Sequence, residues 1–204
     1  MNIGIYLYDN AEVLDFSGPF EVFSTASRLA GTKDLFNVFL IAEQDRPVMA
    51  RGGFSVNPAY HFANSPTIDV LIVAGGVHQA ELEKPVVLHW LQQTAANARL
   101  VASVCTGVFI LAEAGVISSG PVTTHWEDIA ELRQRYPALQ TEEGQRWVDQ
   151  GTRVTSGGIS AGIDMSLHLV ARLASDTLAS ATARQMEFDW QSRNTALGSL
   201  EPVL

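Results

Sequence analysis

Short apolar runs alternate with segments of helical periodicity along most of this chain. The runs of strand length cover residues 3–8, 36–42, 68–74, 100–104, 122–124 and 154–155. Segments with apolar residues at every third or fourth position cover residues 19–29, 85–96, 107–114, 127–136, 161–173 and 177–193. Near-continuous apolar strands are typical of buried parallel sheets, and their alternation with helices requires crossover connections. The pattern predicts a doubly wound α/β fold, with a mostly parallel sheet and helices on both faces.

Two details refine this organisation. Residues 146–154 have the pattern of a β-hairpin with its turn at Asp149 to Gly151, so one antiparallel edge strand is expected. No linker, internal repeat or low-complexity stretch interrupts the chain, and we predict one domain over residues 1–193. Residues 194–204 follow the last predicted helix and are expected to form a mobile tail.

Composition and charge narrow the class of protein. The chain has 204 residues, of which 47% are hydrophobic, enough to bury a single substantial core. Its net charge is −9, with no run of Lys or Arg, so we expect no nucleic-acid partner. The apolar runs are far shorter than the roughly 20 residues that cross a bilayer, so we expect no membrane span. The absence of a signal-peptide pattern and the single cysteine predict a cytoplasmic location.

That cysteine, Cys105, directly follows the apolar run 100–104 and precedes a helical segment. In an open parallel sheet the functional crevice lies at the carboxyl ends of the strands, so this position suits a nucleophile on a sharp strand-to-helix turn. The positive end of the following helix is expected to lower the thiol pKa and to favour the thiolate. A free cysteine among apolar residues is also typical of a core, and position alone leaves both interpretations open.

Two other strand ends carry residues that suit catalysis. Asp15 lies between two apolar residues after the first run, where partial burial would raise its pKa and suit it to proton transfer near neutral pH. Its alternative role is that of a cap that accepts hydrogen bonds from the amides of Ser17 or Gly18. Gly75 and Gly76 follow the third run, and their exposed amides could form an oxyanion hole.

Another strand end carries His125, which follows the run 122–124. It would assist a thiolate or form a local hydrogen bond beside Trp126. The remaining histidines have no partner at metal-ligand spacing, so we predict no metal site. No Gly-x-Gly-x-x-Gly sequence follows a predicted strand, which argues against a dinucleotide cofactor. The amides beyond Gly157 and Gly158 are further candidates for the mouth of a site.

Five motifs, in their order and spacing, resemble the ThiJ/PfpI superfamily. They are residues 14–22 (LDFSGPFEV), 75–76 (GG), 103–107 (SVCTG), 123–126 (TTHW) and 155–164 (TSGGISAGID). Within that superfamily the set is similar to the isocyanide hydratase group, whose members add water to R–N≡C and release an N-substituted formamide. The resemblance covers most of the chain and implies a flavodoxin-like fold of the kind seen in class I glutamine amidotransferases.

The resemblance also implies roles for the residues at the strand ends. Cys105 would be the nucleophile, Asp15 the acid that hydrogen-bonds and protonates, and Thr106 the neighbour of the thiol. The reaction would need neither a metal nor an organic cofactor. Members of the superfamily are usually homodimers, so we expect a homodimer that acts on a small-molecule substrate.

Supporting roles are expected for other residues of the same motifs. The amides of Gly76 and Thr106 would stabilise charge on the intermediate, and the amide of Ile159 would donate a hydrogen bond to the sulfur. Gly75 and His125 are candidates for support of the site.

Two positions separate the chain from other branches of the superfamily. Peptidase-like members carry His directly after the nucleophile, where this chain has Thr106, and glyoxalase-like members usually carry Glu where it has Asp15. Some regulators fuse the domain to a helix-turn-helix module, which we do not expect after residue 193. Two alternatives stay open: a glyoxalase-like or amidase-type cysteine enzyme, and a redox or ligand sensor in which Cys105 is oxidised.

Overall fold

The structure is a computed structural model that describes residues 1–31 and 35–190. The strands in this part of the chain are β1 (Asn2–Tyr6), β2 (Asn37–Ala42), β3 (Val48–Ala50), β4 (Phe54–Val56), β5 (Tyr60–His61), β6 (Val70–Val73), β7 (Leu100–Val104), β8 (Gly120–Val122), β9 (Leu139–Thr141), β10 (Trp147–Asp149) and β11 (Arg153–Ser156). The helices are α1 (Val13–Leu29), α2 (Gln79–Leu82), α3 (Pro85–Asn97), α4 (Gly107–Glu113), α5 (Ile129–Arg135), α6 (Ala161–Leu173) and α7 (Asp176–Gln185).

A seven-stranded sheet in the order β10-β11-β7-β6-β1-β2-β5 forms the centre of the described structure. All neighbouring strands in it are parallel except β10, which pairs antiparallel with β11. The predicted hairpin is therefore confirmed, and Gly151 takes a φ of 83° in its turn, a conformation that glycine adopts without strain. The mostly parallel sheet with one antiparallel edge matches the sequence pattern.

Helices cover both faces of this sheet, which gives a flavodoxin-like α/β fold. The chain leaves β1 toward β2 in one direction and leaves β6 toward β7 in the other, so right-handed crossovers place α1 and α3 on opposite faces. Helices α1, α6 and α7 pack against one another, and α2, α3 and α4 form a second group. The strands β6 and β7 are buried along their whole length, as their apolar runs predict.

The point at which the strand order reverses lies between β1 and β6. Ligands of open α/β sheets bind in the crevice outside the carboxyl ends of the strands at such a point. The chain leaves these ends toward Asp15 after β1, Gly75 after β6 and Cys105 after β7. The topology therefore brings three separate candidate residues to one edge of the sheet.

Several sequence-based boundaries were wrong. Helix α1 begins at Val13 rather than at residue 19, because Pro19 is accommodated inside the helix instead of starting it. The strand expected at 122–124 lies at Gly120–Val122, and it pairs with β9 outside the central sheet. The hairpin of β3 and β4 was missed because three-residue strands leave almost no periodicity.

The C-terminal helix is shorter than the periodicity indicates. Helix α7 ends at Gln185, whereas the pattern predicted a helix to residue 193. Residues 191–193, the predicted domain boundary and the predicted tail at 194–204 lie outside the described residues. Among the residues that are described, no helix combines the length and the apolar character needed to cross a membrane.

Candidate active site

Cys105 lies on a strained turn between β7 and α4. Its φ of 56° is in the left-handed region, which residues other than glycine rarely adopt, and such strain concentrates at functional positions. The turn is held from two sides: the Cys105 amide donates to the carbonyl oxygens of Ser156 and Gly157, both at 3.2 Å. The Thr124 hydroxyl donates to the Cys105 carbonyl at 2.9 Å. The chain thus stabilises a nucleophile-elbow geometry at the predicted position.

Asp15 lies in the first turn of α1 with its side chain fully buried. Its Oδ2 accepts a hydrogen bond from the Gly75 amide and its Oδ1 accepts one from the Ile159 amide, each at 3.1 Å. The capping role toward Ser17 or Gly18 is therefore not the one found. The carboxyl group instead connects helix α1 with the loops of Gly75 and Ile159 at the carboxyl edge of the sheet.

Gly75 is the point of contact between the acid and the cysteine. A methyl group placed on its Cα would lie 2.7 Å from Cys105 Cβ, 2.8 Å from Asp15 Oδ2 and 2.6 Å from the Thr106 amide nitrogen. All three distances are shorter than van der Waals contact. Only glycine therefore lets the thiol-bearing turn and the carboxyl group approach one another at this position.

Thr106 is joined to Gly76 by a reciprocal pair of hydrogen bonds. The Gly76 amide donates to Thr106 Oγ1, and the Thr106 hydroxyl donates to the Gly76 carbonyl, both at 2.9 Å. The sequence led us to expect that the amides of Gly76 and Ile159 donate to the reacting atoms. In the structure the Gly76 amide donates to Thr106 and the Ile159 amide donates to Asp15. In this state their hydrogen bonds hold the site together and do not point at a substrate.

Burial controls the acid–base properties of the pair. It raises the pKa of Asp15 to about 7, with the charge of Glu12 adding to the rise, while the amides of Ile159 and Gly75 and the Cys105 thiol oppose it. This confirms the predicted direction for the acid. Burial also raises the pKa of the Cys105 thiol, and the Asp15 carboxylate raises it further. The predicted lowering of the thiol pKa was wrong, because burial and the Asp15 charge outweigh the hydrogen bonds of Thr106.

A cavity of about 320 Å³ opens beside the thiol. Cys105, Thr106, Gly76, His125 and Ile159 line it, and Gly75 and Asp15 adjoin Cys105. The structure therefore brings every candidate residue named from the sequence to one place.

His125 stands close to the cysteine with two carboxylates behind it. Its Nδ1 lies 3.6 Å from Glu127 Oε2 and 3.6 Å from Asp128 Oδ2. A methyl group placed on Gly158 would collide with the His125 ring and would lie 3.3 Å from Cys105 Sγ. Gly158 thus keeps open the space that the imidazole and the thiol share.

Replacing Gly158 by alanine is expected to slow reaction of the thiol without unfolding the protein. The added methyl group displaces the His125 ring and crowds the sulfur, so alkylation of Cys105 by iodoacetamide should slow by about tenfold. Gly157→Ala is the matched control, because its added methyl group meets only ordinary contacts, the nearest being Ala161 Cβ at 3.4 Å. Equal alkylation rates in the two variants would contradict this role of Gly158.

Asp15 is also expected to make stability depend on pH. Its pKa is higher in the folded protein than in the unfolded chain, so the folded state is favoured at low pH and loses that advantage as the pH rises toward 7. Between the pKa of Asp15 in the unfolded chain and its pKa in the folded protein, the free energy of unfolding falls by an amount on the order of 4 kcal/mol. Asp15→Asn should therefore gain stability relative to the wild type between pH 5 and pH 8 in urea unfolding.

Asp9→Asn provides the control for this measurement. A hydrogen bond from Arg46 holds the pKa of Asp9 below its usual range, so Asp9 stays ionised between pH 5 and pH 8 in both states. Its removal should change stability by the same amount at the two pH values. If the stability difference between Asp15→Asn and the wild type were also the same at pH 5 and pH 8, the pKa of Asp15 would not be raised in the folded protein.

Sequence reasoning missed several residues of the cavity wall. Glu12, Arg51, His78, Glu127 and Asp128 all line it, and none was assigned a role in the site. Asp128 follows His125 by three residues, a spacing that could have indicated the contact. Among the described residues, no three side chains of His, Cys, Asp or Glu converge as a metal ion would require.

The fold and this arrangement define a flavodoxin-like protein with a cysteine on a nucleophile elbow and a buried acid beside it. The family profile of the DJ-1/PfpI family matches residues 1–172, and the chain belongs to that family. It is 33% identical over 189 residues to an isonitrile hydratase of Pseudomonas putida, an alignment that covers 92% of this chain and 78% of that protein.

Other relatives include regulators and proteins of known structure. The chain is 29% identical to the HTH-type transcriptional regulator GbdR of Pseudomonas aeruginosa, with 92% of this chain but only 51% of the regulator covered. A ThiJ/PfpI family protein of Pseudomonas syringae superposes with a TM-score of 0.82 at 28% identity, covering 92% of this chain and 75% of that one. DJ-1beta of Drosophila melanogaster shares the fold, with a TM-score of 0.80 at 19% identity. The superposition covers 93% of this chain and 98% of that one.

Proposed function

We propose that this protein hydrates isocyanides to N-substituted formamides through a covalent thioimidate on Cys105, with Asp15 as general acid and base. The observation that carries the proposal is the direct approach of the two residues around Gly75, together with a pKa of about 7 for the acid. The similarity to an isonitrile hydratase over 92% of the chain supports it.

The reaction needs a nucleophile and a proton at the same carbon. The terminal carbon of an isocyanide accepts a nucleophile readily only when the developing carbanion is protonated. Above the Asp15 pKa of about 7, Cys105 and Asp15 together hold one proton, as thiol and carboxylate or as thiolate and carboxylic acid. A raised thiol pKa is compatible with this chemistry, because the proton passes to Asp15 as the sulfur attacks.

In the first step the Cys105 sulfur forms a bond to the isocyanide carbon. The thiol proton passes through Asp15 to the same carbon, which gives the thioimidate R–N=CH–S–Cys and leaves Asp15 ionised. In the second step the Asp15 carboxylate takes a proton from water while the oxygen adds to the thioimidate carbon, and the proton is then delivered to nitrogen. Cleavage of the C–S bond releases R–NH–CHO, and the hydroxyl proton returns to the Cys105–Asp15 pair.

The surrounding residues position this pair. The amides of Gly75 and Ile159 orient the two oxygens of Asp15, and Thr106 fixes the loop of Gly76 relative to the cysteine. His125, with Asp128 at 3.6 Å, lies on the cavity side of the thiol, where it would orient the incoming water.

Formation of the formamide is the direct test. The wild-type protein with 4-methylpentyl isocyanide should give a formyl proton signal in NMR that increases in proportion to the enzyme concentration. A protein that is folded, has a reactive thiol and yet gives no formamide above the uncatalysed rate would overturn the proposal.

The regulator relatives favour a second candidate function, that of a ligand-binding domain. The chain spans about half of their length, as a single domain of a longer regulator would. Under this alternative, small molecules would bind in the Cys105 cavity without being consumed.

The proposal includes a homodimer in the cytoplasm, as the sequence led us to expect. Light scattering coupled to size-exclusion chromatography would measure a mass of twice 22.1 kDa for the dimer.

A further inference from the structure

The wall of the Cys105 cavity carries an excess of negative charge. Among the described residues, three carboxylates line it, those of Glu12, Glu127 and Asp128, and one guanidinium, that of Arg51. Arg51 Nη1 lies 3.1 Å from Glu12 Oε2, so these two charges compensate one another. The other two carboxylates each lie 3.6 Å from Nδ1 of His125, and even a protonated imidazole would offset just one of them.

A second polar group of the wall, the His78 ring, has an acceptor nitrogen that no described residue uses. His78 is 2% exposed, and within residues 1–31 and 35–190 neither of its ring nitrogens has a hydrogen bond of acceptable geometry. The ring stacks on Phe109, with the ring centroids 4.6 Å apart. Burial lowers the His78 pKa, although the Gly76 backbone and the charges of Glu131 and Asp128 oppose this. A neutral imidazole has one N–H donor, which the Gly76 backbone can accept, and one acceptor nitrogen, which is unused in the described structure.

The negative charge of the cavity wall and the acceptor nitrogen of His78 together indicate which charge the substituent of a ligand should carry. Net negative charge attracts a cation and repels a carboxylate, and a buried acceptor without a partner favours a ligand that brings a donor. We infer that the cavity selects substrates whose substituent ends in a positively charged hydrogen-bond donor, such as a protonated amine, and discriminates against those that end in a carboxylate. This inference rests on the proposed function for its reacting group and adds the chemical class of the substituent.

Three isocyanides of nearly equal size test the inference. They are 3-(dimethylamino)propyl isocyanide, its carbon isostere 4-methylpentyl isocyanide, and 4-isocyanobutanoate. At low salt and pH 7.5, kcat/KM should fall by about tenfold from the amine to the neutral compound and by about tenfold again to the carboxylate. The preference should shrink in 0.5 M NaCl, because salt screens the interaction at this open cavity.

Variants assign the preference to the named residues. Glu127→Gln should reduce the ratio between the amine and the carboxylate severalfold. Glu142→Gln makes the same change in net charge at an exposed carboxylate that does not line the cavity, and it should leave the ratio unaltered. His78→Phe keeps the stacking on Phe109 and should raise KM for the amine more than for its carbon isostere. A merely structural histidine would instead lower the thermal stability and affect both substrates alike.

Binding of the three formamide products separates this inference from the proposed function. Calorimetric titration of the wild-type protein should rank the amine tightest and the carboxylate weakest, whether or not the isocyanides react. That ranking without turnover would remove the hydratase function and keep the inference. Turnover of the neutral isocyanide with no ranking by charge, or with the carboxylate preferred, would overturn the inference and keep the function.

Discussion

Replacement of Cys105 by alanine is expected to reduce formamide production by at least about 10³-fold, because no covalent intermediate can then form. The thiol lies at the edge of a cavity, so its removal should leave the fold intact. The rate is measured from the formyl proton signal at saturating 4-methylpentyl isocyanide, and the fold from circular dichroism and the unfolding temperature.

Cys105→Ser tests the same point with a different atom. It places a hydroxyl group at the elbow in place of the thiol, and a serine hydroxyl is a far weaker nucleophile than a thiol in the absence of a dedicated base. Activity should therefore be lost in this variant as well. A residual rate within about tenfold of the wild type in either variant would mean that water is activated directly and that the sulfur is not needed.

Replacement of Asp15 by asparagine is expected to lower kcat/KM by about 10² to 10⁴-fold, since the proton can no longer be relayed between sulfur, carbon and water. In the wild type, kcat/KM should increase with pH through about 7 and then stay level, because the active pair holds one proton and at lower pH it holds two. The increase should disappear in the variant.

The variant Glu12→Gln tests whether the pH dependence of kcat/KM belongs to Asp15. The charge of Glu12 raises the pKa of Asp15, so its removal should move the midpoint of the pH profile to lower pH. An unmoved midpoint, or a midpoint near 7 that persists in Asp15→Asn, would assign the titration to another group.

Much of the fold could be predicted, because its central elements are long and strongly patterned. The run 100–104 matches β7, and the segment 161–173 matches α6. The errors lie where local signals compete with tertiary structure. A proline usually marks the first turn of a helix, yet Pro19 lies within α1. The strand β8 is only three residues long and pairs with β9, which periodicity cannot reveal.

The candidate site was predictable in part for a similar reason. Parallel strands all point their carboxyl ends to one edge, so the positions of Cys105, Asp15 and Gly75 after apolar runs are enough to group them. The direction of the thiol pKa could not be predicted, since it depends on how deeply the cysteine is buried and on the distance to Asp15. His78 lies in a loop and Glu127 in a three-residue 3-10 helix, and the sequence pattern does not specify the path of either segment.

The covalent intermediate is the central claim, and the mass of the intact protein tests it most directly. Wild-type protein mixed with excess 4-methylpentyl isocyanide and quenched in acid within one turnover should gain the mass of one isocyanide molecule. Peptide mapping should place that mass on Cys105. Formamide production with an unmodified protein mass at every quench time would contradict the covalent mechanism.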